Sequence, residues 1–327
     1  MAVLSLEHIQ KIYPNGFEAV KNFNLQIEEK EFVVLLGPSG CGKSTVLRMI
    51  AGLETISSGE LKIDGQIMNN VDTKDREIAM IFKNAVLYPN MTVYDNLASG
   101  LRLCRLSKKE IDSRVRETAK FLELEDILDQ KPEKLSEGQK QSVIRGRAIV
   151  RNSKIYLMDE ALSNLEDNIK SQMYEEIQKI HEKQGDTILY VTENQAEAMA
   201  LGDRIVVMKD GVIKQIGSPT ELKENPANRF VAGYLFDMEF YDVKCVREGG
   251  NICIKTGTNT FPLSEKQAEK LKDYGGQTIY MGIRQSDLKK STEKSGKKNN
   301  IAEIVFDISK VYLFDKDTEE TLVLPED

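Results

Sequence analysis

The run GPSGCGKST (residues 37–45) follows the apolar stretch FVVLL and precedes VLRMIAGL. Three glycines at 37, 40 and 42, then a lysine and two hydroxyls, are the residue types needed to hold a polyphosphate. Glycine lets the backbone close around an anion with its N–H groups turned inward, and a following helix directs its positive dipole end at the same point. In that reading Ser39, Gly40, Cys41 and Gly42 wrap the anion, Lys43 reaches the two outer phosphates, Ser44 is a ligand to Mg2+, and Thr45 adds a hydroxyl near the innermost phosphate. A second acidic element completes the chemistry. The apolar IYLM (155–158) delivers Asp159 and Glu160 at the carboxyl end of a strand, where open α/β sheets hold their ligands. Asp159 is the expected second anchor of the Mg2+ shell, and Glu160 the expected base that polarises an attacking water.

These groups need a strand, a turn and a helix in that order. Residues 31–37 read as a buried strand, and Val46, Leu47, Ile50 and Leu53 share the inner face of the helix that follows. Farther along, SKKE (107–110) has the pattern of a capping box before a helix carrying Ile111, Val115, Ala119 and Leu122 on one face. A stripe of Ile169, Met173, Ile177 and Ile180, closed by Gly185, predicts a core helix. Asp210–Gly211 is a hairpin turn signal.

Taken together with Tyr13 in KIYPNG (11–16), LYPNMTVYDNLASGL (87–101), LSEGQKQ (135–141), IYLMDEALSNL (155–165) and DRIVVMKDGVIKQIGSPTEL (203–222), these motifs resemble the ATP-binding subunits of ABC transporters, most closely those of maltose-type carbohydrate importers. The resemblance runs in order along nearly the whole chain and weakens after Asn228. It implies an α/β P-loop ATPase fold over residues 1–235, a helical subdomain over about 88–152 that docks transmembrane permeases, and a small OB-like β domain over 236–327. It implies MgATP as cofactor, Tyr13 stacked on adenine, and Ser136, Glu137, Gly138 and Gln139 facing the ATP held by the opposite subunit of a dimer. The family's proline after IR is Gln285 here, and an intervening segment of the β domain is missing, which predicts a shortened barrel.

Four family positions near the outermost phosphate are changed. Glu193 stands where the family has its switch histidine, Lys83 replaces the glutamine that senses Mg2+ and water, Glu137 replaces the first glycine of LSGGQ, and Glu166 replaces the aspartate after SNL. The two histidines, His8 and His181, match no motif. An ionised carboxylate accepts hydrogen bonds but cannot give one, and losing one transition-state donor commonly costs about 10²–10³ in rate. Like charges about 4 Å apart interact by roughly 4 kcal/mol at an effective dielectric of about 20. Weak hydrolysis at the chain's own site is therefore expected, with binding retained. Lys83 could neutralise Glu193, pair with Glu160 and quench the base, or point to solvent. Three readings follow: a transport subunit working in a heterodimer with an intact ATPase, a regulatory pseudo-ATPase, and an ordinary homodimeric ATPase.

Composition narrows the alternatives. The 327-residue chain has a net charge of −7 and no basic stripe with interleaved aromatics, which argues against nucleic acid as a partner. The run KKSTEKSGKK (289–298) reads as a solvated loop. Cys41, Cys104, Cys245 and Cys253 lack paired spacing, as expected of reduced thiols in the cytoplasm. Apolar runs fall far short of the roughly 20 residues of a membrane span, so contact with the membrane is expected only through permease subunits.

Overall fold

The computed structural model describes residues 2–326 apart from 84, 104–105, 152, 163–169, 171–173, 176, 179–180, 182–184, 258 and 291–303. The chain forms two compact units, Met1–Ile213 and Lys214–Asp327, so that residues 214–235 group with the second.

In the first unit, β1 (Ala2–Ile12), β2 (Glu18–Glu28), β4 (Ser58–Ile63) and β5 (Gln66–Ile67) form an antiparallel sheet in the order β2-β1-β4-β5. Five parallel strands, β3 (Phe32–Leu36), β6 (Ile78–Ile81), β7 (Ile155–Asp159), β8 (Thr187–Thr192) and β9 (Arg204–Lys209), stand in the order β9-β3-β8-β7-β6. Strands β3, β7 and β8 are buried at every position, which is why they read as continuous apolar runs and not as alternations. One core joins the two sheets: Leu6, Ile9 and Phe23 from the antiparallel sheet meet Leu35, Leu157 and Val191 from the parallel one. The turn Asp210–Gly211 takes positive φ at both residues, 51° and 82°, and leads from β9 into β10 (Val212–Gly217).

Helix α1 (Lys43–Ala51) buries Val46, Leu47 and Ile50 as its periodicity requires. Leu53 does not join them and is 49% exposed. The cause is Gly52, whose left-handed φ of 73° ends the helix and throws the next residue out of phase. Arg76 then closes the helix end. It is buried, its Nη1 donates to the Met49 and Ile50 carbonyls at 2.8 Å each, and its Nε donates to Val71 O at 2.9 Å.

Helices α2 (Val93–Ala98), α3 (Lys108–Phe121) and α4 (Glu137–Ile149) share a separate core in which Val93, Leu97, Val115, Ala119 and Val143 are buried. Ser107 and Glu110 form the expected reciprocal cap of α3. Asn96 is buried in α2 and ties the preceding loop to it, accepting from Tyr88 N–H at 2.8 Å and donating to the Thr92 carbonyl at 3.0 Å. Of the predicted stripe over 169–185, residues 169, 173 and 180 lie outside the described residues. Ile177 is buried, and Gly185, at φ 65°, donates to the His181 carbonyl at 2.8 Å. A last short helix, α5 (Gln195–Leu201), follows β8.

The second unit carries α6 (Pro219–Glu224) and α7 (Arg229–Leu235), followed by β11 (Met238–Glu248), β12 (Asn251–Thr256), β13 (Asn259–Pro262), α8 (Glu265–Lys270), β14 (Thr278–Arg284), β15 (Lys289–Lys290), β16 (Ile304–Val305), β17 (Tyr312–Phe314) and β18 (Thr321–Val323). Six of these strands form an antiparallel sheet in the order β13-β12-β11-β14-β17-β18, in keeping with a small OB-like domain. Gln285 N–H donates to the Asp237 carbonyl at 2.8 Å, a bond that proline at this position could not make.

Arg76→Leu removes three charged donors from buried carbonyls. The expected loss is about 2–3 kcal/mol of stability, read as a lower urea midpoint of the first unit's transition.

Candidate nucleotide-binding site

The parallel register sets the site. Leu36 of β3 lies opposite Thr192 of β8, and Asp159 of β7 lies opposite Val191, so three segments leave the sheet at one edge within a residue of each other. The glycine loop leaves β3, Glu160 leaves β7 and Glu193 leaves β8. Two of the glycines are required by space. A Cβ on Gly37 would stand 2.4 Å from Met208 O, and one on Gly42, at φ 103°, would stand 2.5 Å from Ala19 O. Gly40, at φ 76°, faces open space at the mouth of the loop.

The expected ligand groups meet. Ser44 Oγ donates to Asp159 Oδ1 at 2.8 Å, bringing a hydroxyl and a carboxylate to one point, which suits a hard divalent cation. Lys43 is buried, and its Nζ donates to the Gly37 carbonyl at 2.8 Å and the Pro38 carbonyl at 2.9 Å. The donor set therefore fits a magnesium-bound polyphosphate: a buried ammonium, the N–H groups opening α1, and a paired hydroxyl and carboxylate. When bound, Mg2+ would neutralise phosphate charge, with Ser44 and Asp159 as its holders. Tyr13 is half-buried with its phenol 3.4 Å from Thr45 Oγ1. Ser39 and Cys41 lie in the loop, and Cys41 is buried. Burial pushes the Cys41 thiol up, Lys43 pulls against it, and Glu193 adds to the rise.

Among the replaced positions, Lys83 bonds Glu160, making an ion pair between the amine and the acid expected to polarise water. The hydrogen bond it donates to Glu160 is the main reason the Lys83 ammonium is held above its ordinary range, and Glu193 and Asp159 add to it. Glu160 itself sits at φ 45°, a left-handed backbone, with its N–H bonded to the Val191 carbonyl at 2.9 Å. Glu193 faces Lys43, 3.7 Å from Nζ. Lys83 thus pairs with Glu160, just after β7, and Glu193 with Lys43 of α1.

At the start of α4, Ser136 is the N-cap: its Oγ accepts from Gln139 N–H at 3.2 Å, and Gln139 Oε1 accepts from Ser136 N–H at 2.9 Å. Glu137 is 64% exposed and turned along its own helix, 3.3 Å from Lys140 Nζ and 3.4 Å from Gln141 Nε2. Gly138 has open space where a Cβ would stand. Glu166 lies outside the described residues.

The motifs do not reveal the group behind Glu193. Glu197 of α5 is 2% exposed, and its Oε2 accepts from Tyr190 O–H at 2.7 Å and Thr192 O–H at 2.6 Å. Asn194 caps the same helix by accepting from Glu197 N–H at 3.2 Å. The network pins the bend that carries Glu193. Its only sequence trace is an acid among the apolar residues of AEAMAL.

Burial first, then the Glu197 carboxylate, raise the Tyr190 phenol far above its ordinary 10.0. The folded chain keeps that proton where the unfolded chain gives it up, so stability should fall as pH rises above about 10. Absorbance at the phenolate band should show Tyr190 ionising only on unfolding. Glu197→Ala strands two buried hydroxyls and should lower stability by about 2–4 kcal/mol, measured by urea denaturation at neutral pH.

Comparison with known proteins agrees with this geometry. A family model described as ABC transporter matches residues 20–163. The oligosaccharides import ATP-binding protein MsmX of Bacillus subtilis is 50% identical over 290 residues, 88% of this chain and 79% of that protein. The multiple sugar-binding transport ATP-binding protein MsmK of Streptococcus mutans is 48% identical over 306 residues, covering 89% and 80%. The ABC transporter ATP-binding protein YcjV of Escherichia coli K12 is 48% identical over 302 residues, covering 92% and 83%. Among solved structures, a dimeric post-hydrolysis state of the ATP-binding cassette MJ0796, bound to ADP and Pi, aligns with a TM-score of 0.58 at 34% identity, over 66% of this chain and 98% of that one. A glycine loop, an acid-ended strand and the segment carrying Glu193 on one sheet edge, together with relatives of this length and identity, lead to one conclusion: the chain belongs to the ATP-binding proteins of ABC transporters.

Proposed function

We propose that this chain is the ATP-binding subunit of a carbohydrate importer, that it holds MgATP at a composite dimer interface, and that it hydrolyses ATP poorly at its own site. Relatives named for oligosaccharide import and multiple sugar-binding transport support the carbohydrate reading. The observation that carries weak hydrolysis is the ion pair between Lys83 and Glu160. A carboxylate that accepts from an ammonium has fewer lone pairs to offer a water, and freeing it means separating two opposite charges. Glu193 adds a second obstacle, because an acid 3.7 Å from Lys43 competes with phosphate for that amine and cannot donate in its ionised form. Retained binding is supported by Ser44 meeting Asp159, by the buried Lys43 and by Tyr13 beside Thr45.

The opposite half of each composite site supports a heterodimer with an intact ATPase. Glu137 lies along its own helix, so Ser136 and the Gly138 N–H stay available to a nucleotide held by the partner. In a homodimer both sites would carry Lys83 and Glu193. Permease docking is supported by the exposed apolar side chains Phe82, Val86 and Tyr88, exposed by 48%, 74% and 45%, beside a cleft of about 230 Å³ that includes Ile144. Among the described residues no helix is long and apolar enough to cross a membrane. Membrane association would run through the permeases.

The test is nucleotide affinity and steady-state hydrolysis by the purified chain alone. Binding with negligible turnover is expected, and brisk turnover would remove the proposal. Lys83→Gln combined with Glu193→His should raise turnover by about 10². Turnover restored by an added intact ATPase supports the heterodimer, whereas silence with every partner supports a regulatory pseudo-ATPase. Val86→Asp should weaken co-purification with permease subunits and leave ATP affinity within about 2-fold, since a charge on an exposed apolar contact acts on docking alone.

A further inference from the structure

Lys11 lies near the end of β1 with 4% of its surface exposed, an uncommon burial for lysine. Its ammonium is fully engaged. Nζ donates to Glu54 Oε1 at 2.7 Å, to the Thr55 carbonyl at 2.8 Å and to Thr55 Oγ1 at 2.9 Å, which uses all three N–H donors. Held there, it stands 5.1 Å from the centroid of the Tyr13 ring, within the range of a cation–π interaction. The bond from Lys11 is the leading reason the Glu54 carboxyl is held below its usual range.

Tyr13 is held at three points, two on its backbone and one on its phenol. Its phenol is 3.4 Å from Thr45 Oγ1, its N–H bonds the Phe17 carbonyl at 2.9 Å, and its carbonyl accepts from Gly16 N–H at 2.9 Å. The backbone turn and the hydroxyl set where the ring sits. Lys11 adds charge against the ring.

We propose that Lys11 is a positioning residue for base recognition, fixing the Tyr13 ring and drawing π density toward one face so that the other face stacks better on a purine. The proposal rests on the reading of Tyr13 as the base-stacking residue. Two electron-rich aromatic faces repel when they lie face to face, and a cation behind one of them lessens that repulsion. Lys11 has no donor left for phosphate, so its effect runs through the ring alone. The signature is selective: affinity for a nucleotide changes and affinity for a bare polyphosphate does not.

The experiment measures binding of ATP and of inorganic tripolyphosphate, each with Mg2+, to the full chain and to Lys11→Met, Glu54→Ala and Tyr13→Ala. Lys11→Met should weaken ATP by about 5-fold, within the range of a desolvated cation–π contact, and leave tripolyphosphate within about 2-fold. Glu54→Ala loosens the ammonium without emptying its site, and should weaken ATP alone by about 2-fold. Combined with Tyr13→Ala, the Lys11→Met effect should vanish. Equal loss for both ligands would make Lys11 a structural residue and overturn the proposal. If Tyr13→Ala leaves ATP affinity intact, the stacking reading fails. If Tyr13→Ala weakens ATP selectively while Lys11→Met and Glu54→Ala do not, stacking stands and the role of Lys11 is refuted. Should Lys11→Met not fold, Glu54→Ala decides: selective loss of ATP supports the proposal and unchanged ATP affinity overturns it.

Discussion

The parallel pairing of β3, β7 and β8 is the constraint on which the site depends. Leu36 opposite Thr192 and Asp159 opposite Val191 bring three chain segments off the sheet at one level. Since all three strands are buried at every position, a slip by one residue would turn each apolar set against the wrong neighbours, and the register is correspondingly firm. Everything polar at that edge inherits its position from this pairing. Ser44 reaches Asp159, Lys83 reaches Glu160, and Glu193 comes to Lys43.

The resulting charge cluster is tightly paired. Lys43 and Lys83 face Asp159, Glu160 and Glu193, so the local balance before any ligand is one negative charge. The two lysines differ in setting. Lys43 is buried and already donates to two loop carbonyls, while Lys83 is 46% exposed at the side-chain level. An arriving polyphosphate can draw Lys43 away from the carbonyls and from Glu193, because the phosphate offers a stronger partner to the same ammonium. It offers Lys83 no comparable gain unless Glu160 is given up. In the function proposed above, this arrangement would favour holding a triphosphate over activating a water.

Helix caps and loop anchors add to core packing in placing the helices outside the sheets. The capping boxes at Ser107 and Ser136 orient α3 and α4 within a helical core of their own, and Arg76 closes α1 against the chain that precedes β6. Leu53 shows how local such control is. Its spacing places it with Ile50, but the left-handed Gly52 between them removes it from the inner face.

Glycine spacing, the unbroken apolar strands and the capping box at Ser107 were legible in the residues, because each acts over a few positions: φ > 0 at a glycine, a short apolar run buried on both faces, or a side chain bonding the N–H three residues on. In the second unit only the β character of the residues after Asp237 was legible; the OB-like form was what the resemblance implied, and the antiparallel order came with the fold. Which cation meets which acid was not. Lys83 and Glu160 are 77 positions apart, and several acids could have answered either lysine; strand register chose between them. Glu197 among apolar neighbours and Lys11 in an ordinary strand carry no mark of their partners, since a buried charge is tolerated only by groups that folding brings from elsewhere.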